Sequence, residues 1–113
     1  MDTNFIFDPA GRDEDAFLIK GNTFGVFDGA NNRNNFFDKA GRSGGQLAAQ
    51  IAKEAFALND RPLKDLAVLA NENIKNQMVS SGLDIKDALN RWHCIFAVVR
   101  MAEEYFEYIQ LNF

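Results

Sequence analysis

The sequence has few features of an exported or membrane-bound protein. Its single cysteine, Cys94, cannot form a disulfide within the chain, which favours a reducing, cytoplasmic setting. No run approaches the roughly 18 apolar residues that a membrane span requires. The first four residues lack the basic start of a signal peptide, and no apolar core follows them. We therefore expect no membrane partner.

Positive charge and metal-binding side chains of the zinc type are also scarce. Twelve Lys and Arg face 16 Asp and Glu, giving a net charge of −4 at pH 7. Because nucleic-acid-binding proteins normally carry a basic face, we expect no nucleic-acid partner. His93 and Cys94 stand alone, without a second cluster that would complete a zinc site. The Asp- and Asn-rich loop that starts at Asp28 does not match an EF-hand, since Arg33 occupies the position of the required glycine.

What the chain does contain fits one folded domain over residues 1–113. Its hydrophobic fraction of 47% and charged fraction of 25% are those of a globular protein, and eleven residues are Phe. Ser43 and Gln46 form a capping box that begins a first helix. A second helix begins near Pro62, with Asp60 as a candidate cap, and Gly82 ends it. Apolar runs predict strands at 5–7, 16–20, 23–27, 94–99 and 105–113.

This order of elements predicts an α+β fold, with a mostly antiparallel sheet and an antiparallel helix pair packed on one face. Residues 94–99 (CIFAVV) are apolar at every position, so we expect that strand to be buried on both faces. The two helices can cover one face, and nothing else in the chain can cover the other. The sequence therefore predicts an incomplete sandwich, completed either by a longer domain or by another copy of the chain.

Two acidic segments are the strongest candidates for a functional site. The triplet at residues 13–15 directly precedes a strand, and Asp28-Gly29 ends the next strand. Each has an ordinary interpretation as a solvated turn. If Gly21-Asn22 forms a hairpin turn, however, Asp15 lies beside Asp28 at one edge of the sheet. Carboxylates gathered there would repel each other unless they held a hard cation such as Mg²⁺ or Mn²⁺.

Together these segments resemble the N-terminal half of the protein phosphatase 2C family, the metal-dependent serine/threonine protein phosphatases, in a bacterial-type form. The resemblance follows the family's order through most of the chain, in GRDEDAFLI, TFGVFDGA, SGGQLAAQIAKEAF, CIFAVV and YFEYIQL. The acidic pair before a strand and the FDG strand end are its most specific parts. The family's fold is an α-β-β-α sandwich, of which this chain would supply one sheet and one helix pair.

The resemblance implies a site with two Mg²⁺ or Mn²⁺ ions that activate a water against a phosphoserine or phosphothreonine in a protein substrate. Asp28 resembles the aspartate that bridges both metals, and Gly29 the glycine whose carbonyl binds one of them. Glu14 and Asp15 resemble the acidic pair that supports metal-bound waters. Arg12 resembles the arginine that holds the substrate phosphate, at a different spacing from that pair.

Two departures from the family leave a second hypothesis open. Ala30 stands where the family usually has a histidine, and a long loop over residues 31–42 follows it. The family's other metal-binding aspartates come from its C-terminal half, so this chain alone is expected to be inactive. The alternative is a truncated or degenerate member that acts as a binding or regulatory module. In either case we expect the uncovered sheet face to self-associate or to receive the missing C-terminal half.

Overall fold

A computed structural model describes residues 15–30, 36–87 and 90–112 of the chain. It contains four strands and two helices in the order ββααββ, which are β1 (Asp15–Lys20), β2 (Thr23–Ala30), α1 (Gly44–Ala57), α2 (Leu63–Ser80), β3 (His93–Met101) and β4 (Phe106–Asn112). The strand predicted at residues 5–7 lies outside the described residues.

The four strands form one antiparallel sheet in the order β1-β2-β3-β4. Gly21 and Asn22 connect β1 to β2, and Gly21 takes a φ of +56° that residues with a side chain rarely adopt. Both helices lie between β2 and β3 in the chain, yet these two strands are neighbours in the sheet. The structure confirms the predicted α+β fold, with a helix pair on one face of the sheet.

Helix α1 begins at the predicted capping box and crosses the sheet. The Ser43 Oγ accepts a hydrogen bond from the Gln46 N–H at 3.1 Å, and the Ser43 N–H donates to the Gln46 Oε1 at 2.8 Å. These bonds satisfy amide groups that a helix start leaves without partners. The buried face of α1 packs on β1, β2 and β3, while α2 packs on α1 and contacts β4.

The sequence predicts the C-terminal end of α2 correctly and its N-terminal cap wrongly. Gly82 has a φ of +83°, and the N–H groups of Gly82 and Leu83 donate to the carbonyls of Val79 and Met78, as in a Schellman motif. The helix therefore stops where the sequence predicts. At its start, Pro62 is the N-cap residue without a side-chain cap, so the prediction of Asp60 as the cap was wrong. The Asp60 carboxylate instead binds the Arg61 guanidinium at 2.8 Å.

The core lies between the helices and one face of the sheet. Three fully buried rings meet there, with centroid distances of 5.8 Å between Phe27 and Phe56, 6.0 Å between Phe27 and Phe96, and 5.1 Å between Phe56 and Phe96. These distances lie in the range in which aromatic pairs attract each other beyond simple burial. One phenylalanine each from β2, α1 and β3 thus joins the helix layer to the two inner strands.

The opposite face of the sheet has no covering layer among the described residues. In β3 the side chains of Cys94, Phe96 and Val98 are buried, whereas Ile95 between them is 48% exposed. The expectation that this strand is buried on both faces is therefore met on one face only. We call the uncovered side the open face; its outward residues are Asp15, Phe17 and Ile19 of β1, Phe24, Val26, Asp28 and Ala30 of β2, His93, Ile95, Ala97, Val99 and Met101 of β3, and Phe106, Tyr108 and Gln110 of β4.

Candidate metal-binding site

The candidate site lies at one end of the open face, where β1 begins and β2 nears its end. Asp15 and Asp28 are direct partners in the antiparallel register of these strands, as the hairpin predicts. Side chains directly opposite each other in such a pair have Cβ atoms about 4.5–5.5 Å apart. Two carboxylates are thus brought side by side on the same face, with Asp15 half-buried and Asp28 exposed.

The two-residue hairpin turn determines which face of the sheet these carboxylates occupy. It pairs Lys20 with Thr23 and, five residues further along each strand, Asp15 with Asp28. Because side chains alternate between faces, the buried Thr23 points toward the helices and Asp28 points away from them. A turn that shifted the register by one residue would separate the two carboxylates onto opposite faces.

Gly29 and its partner strand form the buried side of the site. Gly29 is buried, and its register partner across β2 and β3 is Cys94. Burial, and secondarily the charge of Asp28, raise the pKa of the Cys94 thiol to about 12. The thiol therefore stays protonated at neutral pH and is not an activated nucleophile, and Cys94 packs in the core as a small hydrophobic residue.

An open concavity of about 350 Å³ adjoins the two carboxylates. Its walls are mostly apolar, with Val26, Ile95 and Ala97 on the sheet and Gln110 as a polar neighbour from β4. Sequence reasoning did not single out Ile95 or Gln110. The alternation of inward and outward residues along β3 and β4 was the available signal, but assigning Gln110 to this site also needs the register of β4 against β3.

The other residues predicted for this site, Arg12 and Glu14, lie outside the described residues, as does Asp13 of the acidic triplet. Within 15–30, 36–87 and 90–112, no group of three or more His, Cys, Asp or Glu side chains is placed to hold a metal ion. The carboxylates of Asp15 and Asp28 have the ligand type and the charge that a hard divalent cation prefers. They can fill only a few of its six or more coordination positions, so other donors must supply the rest.

A second polar site, the glycine-rich start of α1, is occupied by contacts within the chain. A glycine-rich segment that leads into a helix can hold an anion at the helix N-terminus. In the structure, the Ser43 side chain caps the first turn, and the Arg42 guanidinium binds the Asp38 carboxylate at 2.8 Å. The Arg42 backbone N–H, and secondarily the Arg42 guanidinium, hold the pKa of the Asp38 carboxyl below its usual value. These partners leave little reason to assign an anion site here.

The sequence patterns did not predict a polar cluster at the other end of the sheet, where β2 begins and β3 nears its end. The Asn59 Oδ1 accepts hydrogen bonds from the Thr23 hydroxyl at 2.9 Å and from the Arg100 Nε at 3.0 Å. Arg100 also donates to the Arg61 carbonyl at 2.9 Å and pairs with Glu107 at 3.4 Å. These contacts tie the end of α1 to β2, β3 and β4, and we interpret the cluster as structural.

Comparison of the chain with protein families, with curated proteins and with solved structures finds no match. Among the described residues, neither helix combines the length and the apolar character that a membrane crossing requires.

Proposed function

We propose that this chain supplies the metal-binding N-terminal part of a phosphatase 2C-like enzyme that hydrolyses phosphoserine or phosphothreonine in proteins. The observation that carries the proposal is the register pairing of Asp15 with Asp28 at one end of an open sheet face. Carboxylates are the ligand type that a hard divalent cation prefers, and a cation between these two would relieve their mutual repulsion. Because its single cysteine cannot form a disulfide within the chain, we propose a reducing, cytoplasmic setting.

In this proposal, Asp28 is the principal ligand of Mg²⁺ or Mn²⁺, with help from the Gly29 carbonyl. Asp15 and Glu14 would orient waters on a bound cation, and Arg12 would engage the substrate phosphate. Bound Mg²⁺ or Mn²⁺ would supply Lewis-acid chemistry, activating a water and neutralising charge on the phosphate, which requires no protein nucleophile. This suits a site whose neighbouring thiol, Cys94, is protonated. Further carboxylates must complete a two-metal site, so we expect the chain alone to bind metal weakly and to lack activity.

A calorimetric titration with Mn²⁺ tests the proposal. We expect Asp28→Asn to weaken binding by tenfold or more, because the amide keeps the shape and removes the charge. Glu72→Gln removes one negative charge from an exposed position on α2, and this control should leave binding unchanged. Equal binding by the wild type and Asp28→Asn, or equal losses in the two variants, would contradict the proposed site.

A second candidate function is that of an inactive module that binds a partner. Two observations favour it, namely the apolar open face and Ala30 in the place of the family's histidine. Hydrolysis of a phosphoserine peptide separates the candidates once the missing carboxylates are supplied by the longer protein. Mn²⁺-dependent turnover that Asp28→Asn abolishes supports the enzyme, and metal binding without turnover supports the module.

A further inference from the structure

The open face is apolar over most of its area. The aromatic side chains of Phe106 and Tyr108 are 64% and 55% exposed, and Ile19 and Ile95 are 59% and 48% exposed. These residues come from β1, β3 and β4, and Val26 of β2 lies among them. An apolar surface that extends across four strands is far larger than the scattered apolar residues of an ordinary protein surface.

The carboxylates of the open face are confined to one end of it. Among the described residues, Asp15 and Asp28 are its only acidic side chains, and both lie where β1 starts and β2 nears its end. The basic side chain of Arg100 belongs to the opposite face, where it contacts Asn59. The middle of the open face and its far end can therefore be buried without burying a carboxylate.

The size of this face suits a small dimer interface. Four strands at about 4.8 Å spacing, with about six residues each at about 3.3 Å, cover roughly 400 Å² in projection. Because protruding side chains make the accessible area larger than the projected area, two such faces in contact would bury roughly 1,000 Å² or more in total. This is near the lower limit for a specific interface. Two sheets that pack face to face lie about 10 Å apart with their strands roughly aligned.

We propose that a second copy of this chain covers the open face, forming a symmetric dimer in which two sheets pack against each other. The longest stretch outside the described residues is 1–14, whose one apolar run, residues 5–7, is the length of one short strand and too small to cover four. An uncharged apolar centre matches an identical face without a complementary charge pattern. In the proposed enzyme a C-terminal half would cover this same face, so the inference concerns the 113-residue chain on its own, in which a second copy takes the place of that half.

The position of the carboxylates selects the arrangement of the two copies. A two-fold axis parallel to the strands places β1 over β4 and β2 over β3 of the second copy, and keeps both acidic ends at the same solvent-exposed rim. An axis across the strands would place each strand over its own copy and press Asp15 and Asp28 onto the apolar end that holds Ile19 and Phe24. Repulsion at a solvated rim is screened, whereas a carboxylate buried on an apolar surface is not compensated. The first arrangement is therefore the one we propose.

Sedimentation equilibrium of the full chain in EDTA, over a wide concentration range, tests the dimer separately from the metal site. We expect the mass to rise from 12.7 kDa toward twice that value. Ile95→Lys should weaken the dimer by about 30-fold or more, because a lysine enters the centre of the interface from both copies. Tyr108→Lys, on a neighbouring strand, should weaken it similarly. Circular dichroism checks that both variants remain folded.

Val68→Lys is the matched control, since Val68 is 59% exposed on α2 and gains the same charge away from the sheet. It should leave the dimer unchanged. A wild-type chain that stays monomeric at all concentrations would overturn the proposal and leave the face to another partner. A dimer that survives both sheet-face substitutions would also overturn it, because pairing along the edges of β1 or β4 would leave Ile95 uninvolved.

Discussion

Replacing Asn59 should show how strongly one polar residue holds the end of α1 to the sheet. Asn59 has a φ of 51°, the left-handed region that favours Gly and Asn, and its Oδ1 accepts from the Thr23 hydroxyl and the Arg100 guanidinium. The Thr23 side chain is fully buried. Asn59→Gly keeps the backbone conformation and removes both hydrogen bonds. We expect it to lower the free energy of unfolding by about 2 kcal/mol, at about 1 kcal/mol for each bond.

Asn59→Ala should cost about 3 kcal/mol, because a Cβ at positive φ adds about 1 kcal/mol of strain. Urea unfolding at one fixed protein concentration, followed by the fluorescence of the buried Trp92, measures both values. A double-mutant cycle with Thr23→Val should give a coupling of about 1 kcal/mol between the two side chains. Stability of Asn59→Gly within about 0.5 kcal/mol of the wild type, or equal costs for the Gly and Ala variants, would refute this reasoning.

Three further predictions follow from the core, a helix end and the buried thiol. Phe96→Ala should lower the free energy of unfolding in urea by about 4 kcal/mol, because it leaves a cavity among buried rings. Phe37→Ala, at a 61% exposed position, should lower it by less than about 0.5 kcal/mol. Similar losses of stability in the two variants would contradict the placement of the core. Gly82→Ala should lower the free energy of unfolding by about 1 kcal/mol through backbone strain at a φ of +83°, since an added Cβ meets no atom within 4 Å. Unchanged stability would argue against the Schellman motif at the end of α2. Burial raises the pKa of Cys94 from 9.0 to about 12, so the unfolded thiol ionises before the folded one as the pH rises. The contribution of this group to stability is therefore complete below pH 9 and lost between about pH 9 and pH 12. Cys94→Ala should reduce this loss of stability in urea unfolding, and an unchanged dependence of stability on pH would contradict the prediction.

Local features of the sequence predicted the parts of the fold that depend on short-range chemistry. The Ser43 capping box, the glycine stop at Gly82 and the hairpin at Gly21-Asn22 each involve residues close together in the chain, and the structure confirms all three. The hairpin alone was sufficient to predict that Asp15 lies beside Asp28. The metal-binding role assigned to this pair stays a prediction.

One local prediction was wrong: Asp60 is a suitable capping residue by type, but it binds the adjacent Arg61, and Pro62 starts the helix without a side-chain cap. Features that depend on long-range packing could not be predicted in the same way as the capping box and the hairpin. The cluster around Asn59 joins Thr23 and Arg100, which lie 36 and 41 residues away in the chain. Such contacts need the strand register and the position of α1, neither of which hydrophobic periodicity specifies.

The central claim, a divalent cation bound at Asp28 with Asp15 beside it orienting its waters, is tested most directly by adding Mn²⁺ in small amounts and following the amide resonances by NMR. Paramagnetic broadening is expected first at the acidic end of the sheet, at Ala16, Gly29 and Ile95. Resonances of Thr23 and Arg100, at the opposite end of the same strands, should stay sharp. Asp28→Asn should abolish the selective broadening. Uniform broadening, or broadening centred elsewhere in the chain, would contradict the account.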